Sequence, residues 1–386
     1  MKILMIAPQP FFEPRGTPFS VLHRLHALSH LGHTIDLITY HIGENIPIKN
    51  VTIFRIIRIP FVTHIDIGPS FKKILCDIFI FFKALCFLIR GKYDAIHTHE
   101  EAGIMGIVFK YIFHTPHIYD MHSSLPQQLS NFRRGNMRFI VFLFKIIEKI
   151  TLSLSDAIIT ICPDLQQIVE NSGQLSKSYL IENVAENSIV FGKTNTGLDI
   201  EEIRNKYKLP RTPNIFLYTG TFEKYQGIDL LLEAAYITLK KNKDLVFVLV
   251  GGKDEQVRQM QRLTDNYKIS DNVVFTGSVH PREIYAFYEL AKVIISPRKE
   301  GTNSPLKIYS YLRSGKPILA TNCYTHSQIL DDSVALLVSP TPDCFAAGIE
   351  VLLKNEKLGI RLAENAKKLA ESKYSYTEYL TKTEFV

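Results

Sequence analysis

The sequence predicts an α/β protein made of two doubly wound, parallel-sheet domains that face each other across a cleft. Three observations lead there. Short apolar runs alternate with longer amphipathic ones along almost the whole chain. That rhythm pauses once, between about residues 182 and 212, where polar and charged residues dominate. The 386 residues also divide into two units of about 190, an ordinary domain size. Alternating strand and helix signals imply a parallel sheet covered by helices on both faces, with ligands at the carboxyl ends of the strands.

Each element has its own signal. Lys2–Ala7 (KILMIA) is an apolar run stopped by Pro8 and reads as a buried strand. Thr17–Leu31 has apolar residues at helical spacing and ends at Gly32, a helix stop. Thr34–Tyr40 and Val51–Ile56 read as strands, Phe71–Arg90 as a helix, and Ala95–His99 and Thr115–Tyr119 as strands. Met137–Leu154 reads as a helix, Ala157–Ile161 as a strand and Asp164–Asn171 as a helix. The rhythm restarts with strand Ile215–Thr219, helix Ile228–Lys241 and strand Val246–Val250, closed by Gly251 and Gly252. Helix Glu255–Tyr267, strand Val273–Phe275, helix Pro281–Leu290 and strand Val293–Ser296 follow. Helix Pro305–Leu312, strand Pro317–Ala320 and helices Pro342–Lys354 and Lys357–Glu371 complete the pattern. The expected domains are 1–188 and 213–372, joined by a linker over 189–212. A last helix over 373–386 is expected to pack back on the first domain.

Composition narrows the class. With 46% hydrophobic and 22% charged residues, the chain is globular rather than disordered or fibrous. Five scattered cysteines with no CxxC pair argue against a disulfide scaffold or a zinc site and for a reducing compartment. The net charge of +7 is shared: residues 1–190 hold 18 basic against 15 acidic residues, and the rest 27 against 23. No basic nucleic-acid domain is implied. The charge gathers instead in two apolar stretches, 71–92 and 131–149, each with five Lys or Arg against one acid. Neither is a transmembrane span, because charges break the first into short pieces. Ile3–Ala7 is too short for a signal peptide core. A cytoplasmic protein is expected. No GxGxxG follows a first strand, and no GxxxxGK[ST], HExxH or GxSxG occurs.

Residues 297–321 read PRKEGTNSPLKIYSYLRSGKPILAT. This resembles the donor-binding segment of retaining, nucleotide-sugar-dependent glycosyltransferases of family GT4, which have the GT-B fold of two Rossmann-like domains. GTFEKYQGIDLLLEA (220–234) and VVFTGSVHPREIYAFYELAKVIISP (273–297) resemble the opening and nucleobase-side segments of the family's C-terminal domain. YDAIHTHEEAG (93–103), YDMHSS (119–124) and DAIITICPDL (156–165) resemble N-terminal landmarks. The resemblance spans almost the whole chain, and the order of segments carries it.

A nucleotide-sugar donor has two phosphates, whose charge calls for N–H groups at a helix start and for Lys or Arg. Gly301, Thr302, Asn303 and Ser304 form a loop into a helix begun by Pro305, a good first-turn residue. Lys307, Lys224 and Arg298 are candidate phosphate partners. The resemblance adds Gly16, Gly220, Gly277, Val279 and Ser310 to the donor side. It makes His122, next to the donor sugar, and Glu300, toward the sugar hydroxyls, the catalytic candidates. It sets His99, Glu100 and Asp120 on the acceptor side. His97 and His99 beside Glu100 and Glu101 also have the look of a metal site, but the family's transfer needs neither metal nor cofactor beyond the donor.

Three positions depart from the family. The Glu that usually holds the donor ribose is Ser310. The other family Glu falls on Thr302 by spacing, with Glu300 two residues away. The Arg and Lys that usually clamp the diphosphate align with Thr221 and Gln226, and Lys224 is the available substitute.

The implied reaction keeps the anomeric configuration through an oxocarbenium-like transition state, helped by electrostatics, positioning and domain closure. The two basic, apolar stretches suit an anionic membrane surface. That points to a lipid-linked sugar or cell-envelope polysaccharide precursor as acceptor and to a peripheral place on the inner face of the cell membrane. A catalytically weak partner subunit and a sugar-nucleotide epimerase of the same fold are the alternatives.

Overall fold

The computed structural model describes the chain apart from residues 15, 66, 67, 69, 128–137 and 186–199. It divides into two compact units, Met1–Asn183 with Thr377–Val386, and Val184–Tyr376.

The first unit is a seven-stranded parallel sheet in the order β3-β2-β1-β4-β5-β6-β7. The strands are β1 Lys2–Ala7, β2 Thr34–Thr39, β3 Val51–Arg55, β4 Ala95–His99, β5 His117–Met121, β6 Ala157–Thr160 and β7 Ser178–Leu180. Ile3–Ala7 are all buried, as a central strand covered on both faces requires. Helices are α1 Gly16–His30, α2 Phe71–Arg90, α3 Gly103–Phe113, α4 Arg138–Leu154 and α5 Pro163–Asn171. The chain winds from β1 outward to β3, then returns past β1 to run from β4 to β7. Right-handed crossovers therefore set α1 on one face and α2 to α5 on the other. Helix α2 is capped by Ser70, whose side chain accepts from the Lys73 N–H, and it buries Cys76, Ile80, Ala84 and Leu88 along one stripe.

Helix α3 carries no clear period in its sequence, GIMGIVFKYIF, and the apolar pattern alone does not mark it. Its two glycines have a packing reason. A Cβ on Gly106 would overlap the His117 ring, and one on Gly103 would meet Tyr119 and Thr151.

The second unit is a six-stranded parallel sheet in the order β10-β9-β8-β11-β12-β13. Its strands are β8 Ile215–Thr219, β9 Val246–Val250, β10 Val273–Gly277, β11 Val293–Ser296, β12 Ile318–Thr321 and β13 Leu336–Val338. The helices, in chain order, are α6 Ile200–Lys206, α7 Ile228–Leu239, α8 Asp254–Tyr267, α9 Ile284–Leu290, α10 Leu306–Arg313, α11 Tyr324–Ser327, α12 Pro342–Lys354 and α13 Glu356–Lys373. The last helix, α14 Tyr376–Phe385, lies almost wholly in the first unit.

Of the stretch read as a linker, 189–199 fall outside the described residues, and Ile200–Lys206 form α6. Ile203 of that helix is buried in the core of the second unit, and Lys206 and Tyr207 bond Glu283 at 2.5 and 2.8 Å. Two helix starts differ from the sequence pattern. Pro281–Glu283 is a 3-10 turn before α9. Pro305 is extended, with φ −70° and ψ 126°, and so precedes α10 instead of opening it.

Candidate functional site

In the first unit, polar residues collect at the carboxyl ends of β4 and β5. Asp120 is fully buried and central. Its Oδ2 accepts from Arg24 Nε at 3.1 Å and from His97 Nε2 at 3.3 Å, with His99 Nδ1 3.8 Å away. Its Oδ1 lies 3.2 Å from His122 Nε2, which is also 2.9 Å from His99 Nδ1. The His99–His122 contact is a hydrogen bond, whereas Asp120 Oδ1 has no hydrogen-bond partner among the described residues. Burial opposes charge on Asp120, yet the Arg24 guanidinium, with the hydrogen bond from His97, holds its carboxyl well below the usual range. Burial pushes His97, His99 and His122 below the ordinary histidine value, so the three rings are neutral around one carboxylate. The structure thus brings His99, Asp120 and His122 together, and adds His97.

Arg24 is only 2% exposed. Besides Asp120 it donates to Thr383 Oγ1 of α14 at 2.8 Å and lies 4.9 Å from the Tyr379 ring centre. Neither Arg24 nor Thr383 is marked by a motif. The one signal is an arginine inside the apolar stripe VLHRLHAL. His97, His99 and Asp120 offer three ligand atoms within 4.8 Å of one another. Arg24 already occupies the same Asp120 oxygen, and its charge opposes a cation there.

Glu100 follows at once, in a left-handed conformation with φ +51°. Its carboxylate accepts from Ser123 Oγ at 2.5 Å and Thr17 Oγ1 at 3.4 Å. Burial, then Glu101, raise its pKa to about 7. Thr17 is the second residue of α1, beside Gly16, where an added Cβ would meet nothing within 4 Å among the described residues.

In the second unit, Gly220, Gly251 and Gly277 stand at the carboxyl ends of β8, β9 and β10. Gly220 N–H donates to Val250 O and Gly251 N–H to Gly277 O, at 2.9 and 2.8 Å. A Cβ on Gly251 would overlap Gly220 O, so this floor is backbone at close approach. Lys307, in the first turn of α10, sends its ammonium to this floor. Nζ donates to Gln226 Oε1 at 3.1 Å and lies 4.0 Å from the Tyr218 ring centre. Burial, then the charge of Arg298, push its pKa well below that of an ordinary lysine. Arg298 stacks on Tyr225 at 4.9 Å and donates from Nε to Glu300 O at 2.8 Å.

The loop into α10 is held from both sides. Gln328 Nε2 donates to Thr302 O at 2.5 Å, and Thr321 Oγ1 to Arg298 O. Thr302 and Asn303 are half-buried, and Ser304 is buried with its hydroxyl unpartnered among the described residues. Glu300 and Lys224 are exposed. Val279 packs on the core. Ser310 is buried, and its hydroxyl bonds Tyr288.

Two Rossmann-like parallel sheets, each with its polar groups at strand carboxyl ends, have the architecture of the GT-B fold, and solved GT-B structures match the chain. The family follows from comparison. The model for Glycosyltransferase Family 4 matches residues 14–184, and that for glycosyl transferases group 1 matches residues 199–369. Together they span most of the chain, which belongs to the GT4-type glycosyltransferases, enzymes that act on nucleotide sugars.

The chain is 24% identical over 360 residues to alpha-monoglucosyldiacylglycerol synthase of Streptococcus pneumoniae, covering 92% of this chain and 78% of that protein. Among solved structures it resembles sucrose-phosphate synthase from Thermosynechococcus elongatus, with TM-score 0.78, 20% identity, and 100% and 97% of the two chains covered. It also resembles Anabaena HepE in complex with UDP-glucose, with TM-score 0.75, 14% identity, and 100% and 98% covered. Among the described residues, no helix is long and apolar enough to cross a membrane.

Proposed function

We propose that the protein moves a sugar from a nucleoside-diphosphate sugar to a lipid-carried acceptor, with retention at the anomeric carbon and without a metal. One observation carries the donor half: a half-buried lysine at the start of α10 whose ammonium has, among the described residues, a neutral amide and an aromatic ring as its close partners. An ammonium kept that poor in counter-charge suits an incoming diphosphate. Arg298 and the start of α10, whose N–H groups no side chain caps among the described residues, suit the same anion. These fixed cations supply the positive charge that a divalent ion supplies elsewhere.

In the reaction, the bond from the anomeric carbon to the diphosphate oxygen breaks as the acceptor oxygen bonds that carbon from the same face. The acceptor proton passes to the leaving phosphate. Lys307 and Arg298 take up the charge that develops on the diphosphate. His122 and Glu300 meet sugar hydroxyls, and Glu100 orients the acceptor. Asp120, held ionised by Arg24, keeps His99 and His122 in place. The name of the pneumococcal relative supports a lipid acceptor, and the HepE complex supports uridine diphosphate as the first nucleotide to try. The reading puts the enzyme in the cytoplasm, peripheral on the inner face of the cell membrane, in envelope glycolipid or polysaccharide assembly.

The test is calorimetric titration with uridine, guanosine and adenosine diphosphates, followed by transfer assays with the matching sugars. Binding of one diphosphate in the micromolar range, and transfer abolished in His122→Ala with that binding intact, are expected. No binding of any of the three at millimolar levels defeats the reading.

A further inference from the structure

Helices α2, α3 and α4 lie side by side on one face of the first sheet, with α3 packed against both neighbours. Each turns a second apolar stripe outward. On α2 it is Phe71, Ile74, Ile78 and Phe82, and Phe71 is 81% exposed. On α3 it is Tyr111 and Ile112, and on α4 Phe142 and Ile146. Among the described residues, the other exposed positions hold further apolar side chains, Lys72, Arg90, Lys145, Lys149, Cys86 and Ser153, and no acid. The acids of these helices are turned away. Asp77 accepts from the Tyr40 hydroxyl at 2.6 Å, and Glu148 bonds Ser124.

We infer that this three-helix face docks on an anionic lipid surface and delivers the acceptor along the start of α2. Large apolar side chains interleaved with Lys and Arg, with no exposed acid among the described residues of the three helices, match the acyl boundary and the headgroup charge together; the exposed Asp156 just past α4 is paired with Lys110. A second copy of the chain fits less well, because it brings the same positive charge to the same face. The face also reaches the polar centre. Helix α2 begins at the carboxyl ends of the strands, and Lys73 lies 3.8 Å from Glu101. Glu101 shares a 3-10 turn with Glu100, which bonds Ser123 next to His122. A headgroup held beside Phe71 is therefore at the rim of the acceptor side. That delivery step rests on the lipid-acceptor reading above; the docking does not.

The test is co-sedimentation of the full chain with vesicles of equal phosphatidylglycerol and phosphatidylcholine at low salt. Two exposed-surface variants are compared with wild type: Phe71→Ser/Ile78→Ser/Phe82→Ser and Lys145→Glu/Lys149→Glu. Wild type is expected to bind, to release as salt rises, and to ignore pure phosphatidylcholine. Each variant is expected to lose at least tenfold in partitioning while its melting temperature and uridine diphosphate affinity stay at wild-type values. Wild type free of vesicles at low salt, or variants that sediment as wild type does, overturns the assignment. So does a wild-type dimer by light scattering that becomes monomeric in the variants, because the face is then a self-contact. Vesicle binding without any nucleotide affinity leaves the docking standing and defeats only the transferase reading.

Discussion

Replacing Lys307 by Met tests the donor reading most directly. Its ammonium is the best-placed cation on the Gly220 floor, and Gln226 and Tyr218 neutralise none of its charge. An arriving diphosphate gains one charge-assisted hydrogen bond, worth about 1.5–3 kcal/mol. The Coulomb term at about 4 Å and a dielectric near 20 is about 4 kcal/mol, an upper bound. Lys307→Met should therefore weaken uridine diphosphate by roughly ten- to a hundredfold, at about 1.4 kcal/mol per tenfold. The sign of the pH dependence follows from the lowered pKa. Burial and Arg298 make the free ammonium easy to deprotonate, and the diphosphate favours the protonated form. Binding should therefore take up a proton at pH values above the free pKa, and affinity should fall as pH rises. Calorimetry at two pH values, in buffers of different ionisation enthalpy, reads affinity and proton uptake together. A Lys307→Met protein that folds normally and binds within twofold of wild type refutes the reasoning, as does wild-type binding with no proton uptake at any pH.

Three other outcomes are expected. His97, His99, His117 and His122 are all held neutral, chiefly by burial, with His117 lowered to about 3. Their unfolded forms bind protons below about pH 6.5, so stability is full above that pH and is lost as pH falls, by about 2 kcal/mol for His117 between pH 6.5 and 5. Asp77 and Glu100, raised to about 8 and about 7, act in the opposite sense and gain stability as pH falls, so net melting does not isolate the histidines. NMR titration of the imidazoles does: none of the four rings should protonate between pH 7.5 and 5, and a ring of this cluster titrating near pH 6.5 would contradict the neutral cluster. Gly106→Ala forces a methyl into the His117 ring and should cost about 1–3 kcal/mol in urea unfolding, and an unchanged midpoint would mean that α3 lies farther from β5. Ser310→Ala should leave uridine diphosphate affinity within about threefold, about 0.65 kcal/mol and less than one hydrogen bond to the donor would contribute. Its hydroxyl is turned to Tyr288, and a tenfold loss would instead put it on the donor.

How much of the fold was legible depended on length and on what each element buries. KILMIA reads as a strand because β1 is covered on both faces and needs no alternation. Helix α2 reads as a helix because its buried stripe of Cys76, Ile80, Ala84 and Leu88 recurs every fourth residue within a 20-residue helix. Strands β7 (SYL) and β13 (LLV) have three residues each, too few for any period. Helix α3 is apolar on nearly every side, since one stripe meets the sheet and another faces outward, so its period vanishes. Its glycines, breakers by local propensity, answer to the nearness of β5 instead.

The same division runs through the polar centres. HTH and YDMH stand out because polar residues end otherwise apolar strands, and a strand end at the edge of a parallel sheet is where a ligand finds side chains. What sets their charge was not legible. Asp120 stays ionised through Arg24, 96 residues earlier, and Arg24 is anchored by Thr383, 359 residues after it. Read locally, Arg24 interrupts an apolar helix face and Thr383 is one threonine in a charged tail. Only the topology shows why each is there. Arg24 of α1 reaches Asp120 of β5, and helix α14 belongs to the first unit and sets Tyr379 and Thr383 against the guanidinium. A buried arginine needs its donors filled, and a buried carboxylate needs a cation. The terminal helix thus stabilises the arginine, the arginine holds the carboxylate ionised, and the carboxylate accepts from His97 Nε2. The electrostatics of the His122 centre are therefore set by the end of the chain as much as by the motif that contains it.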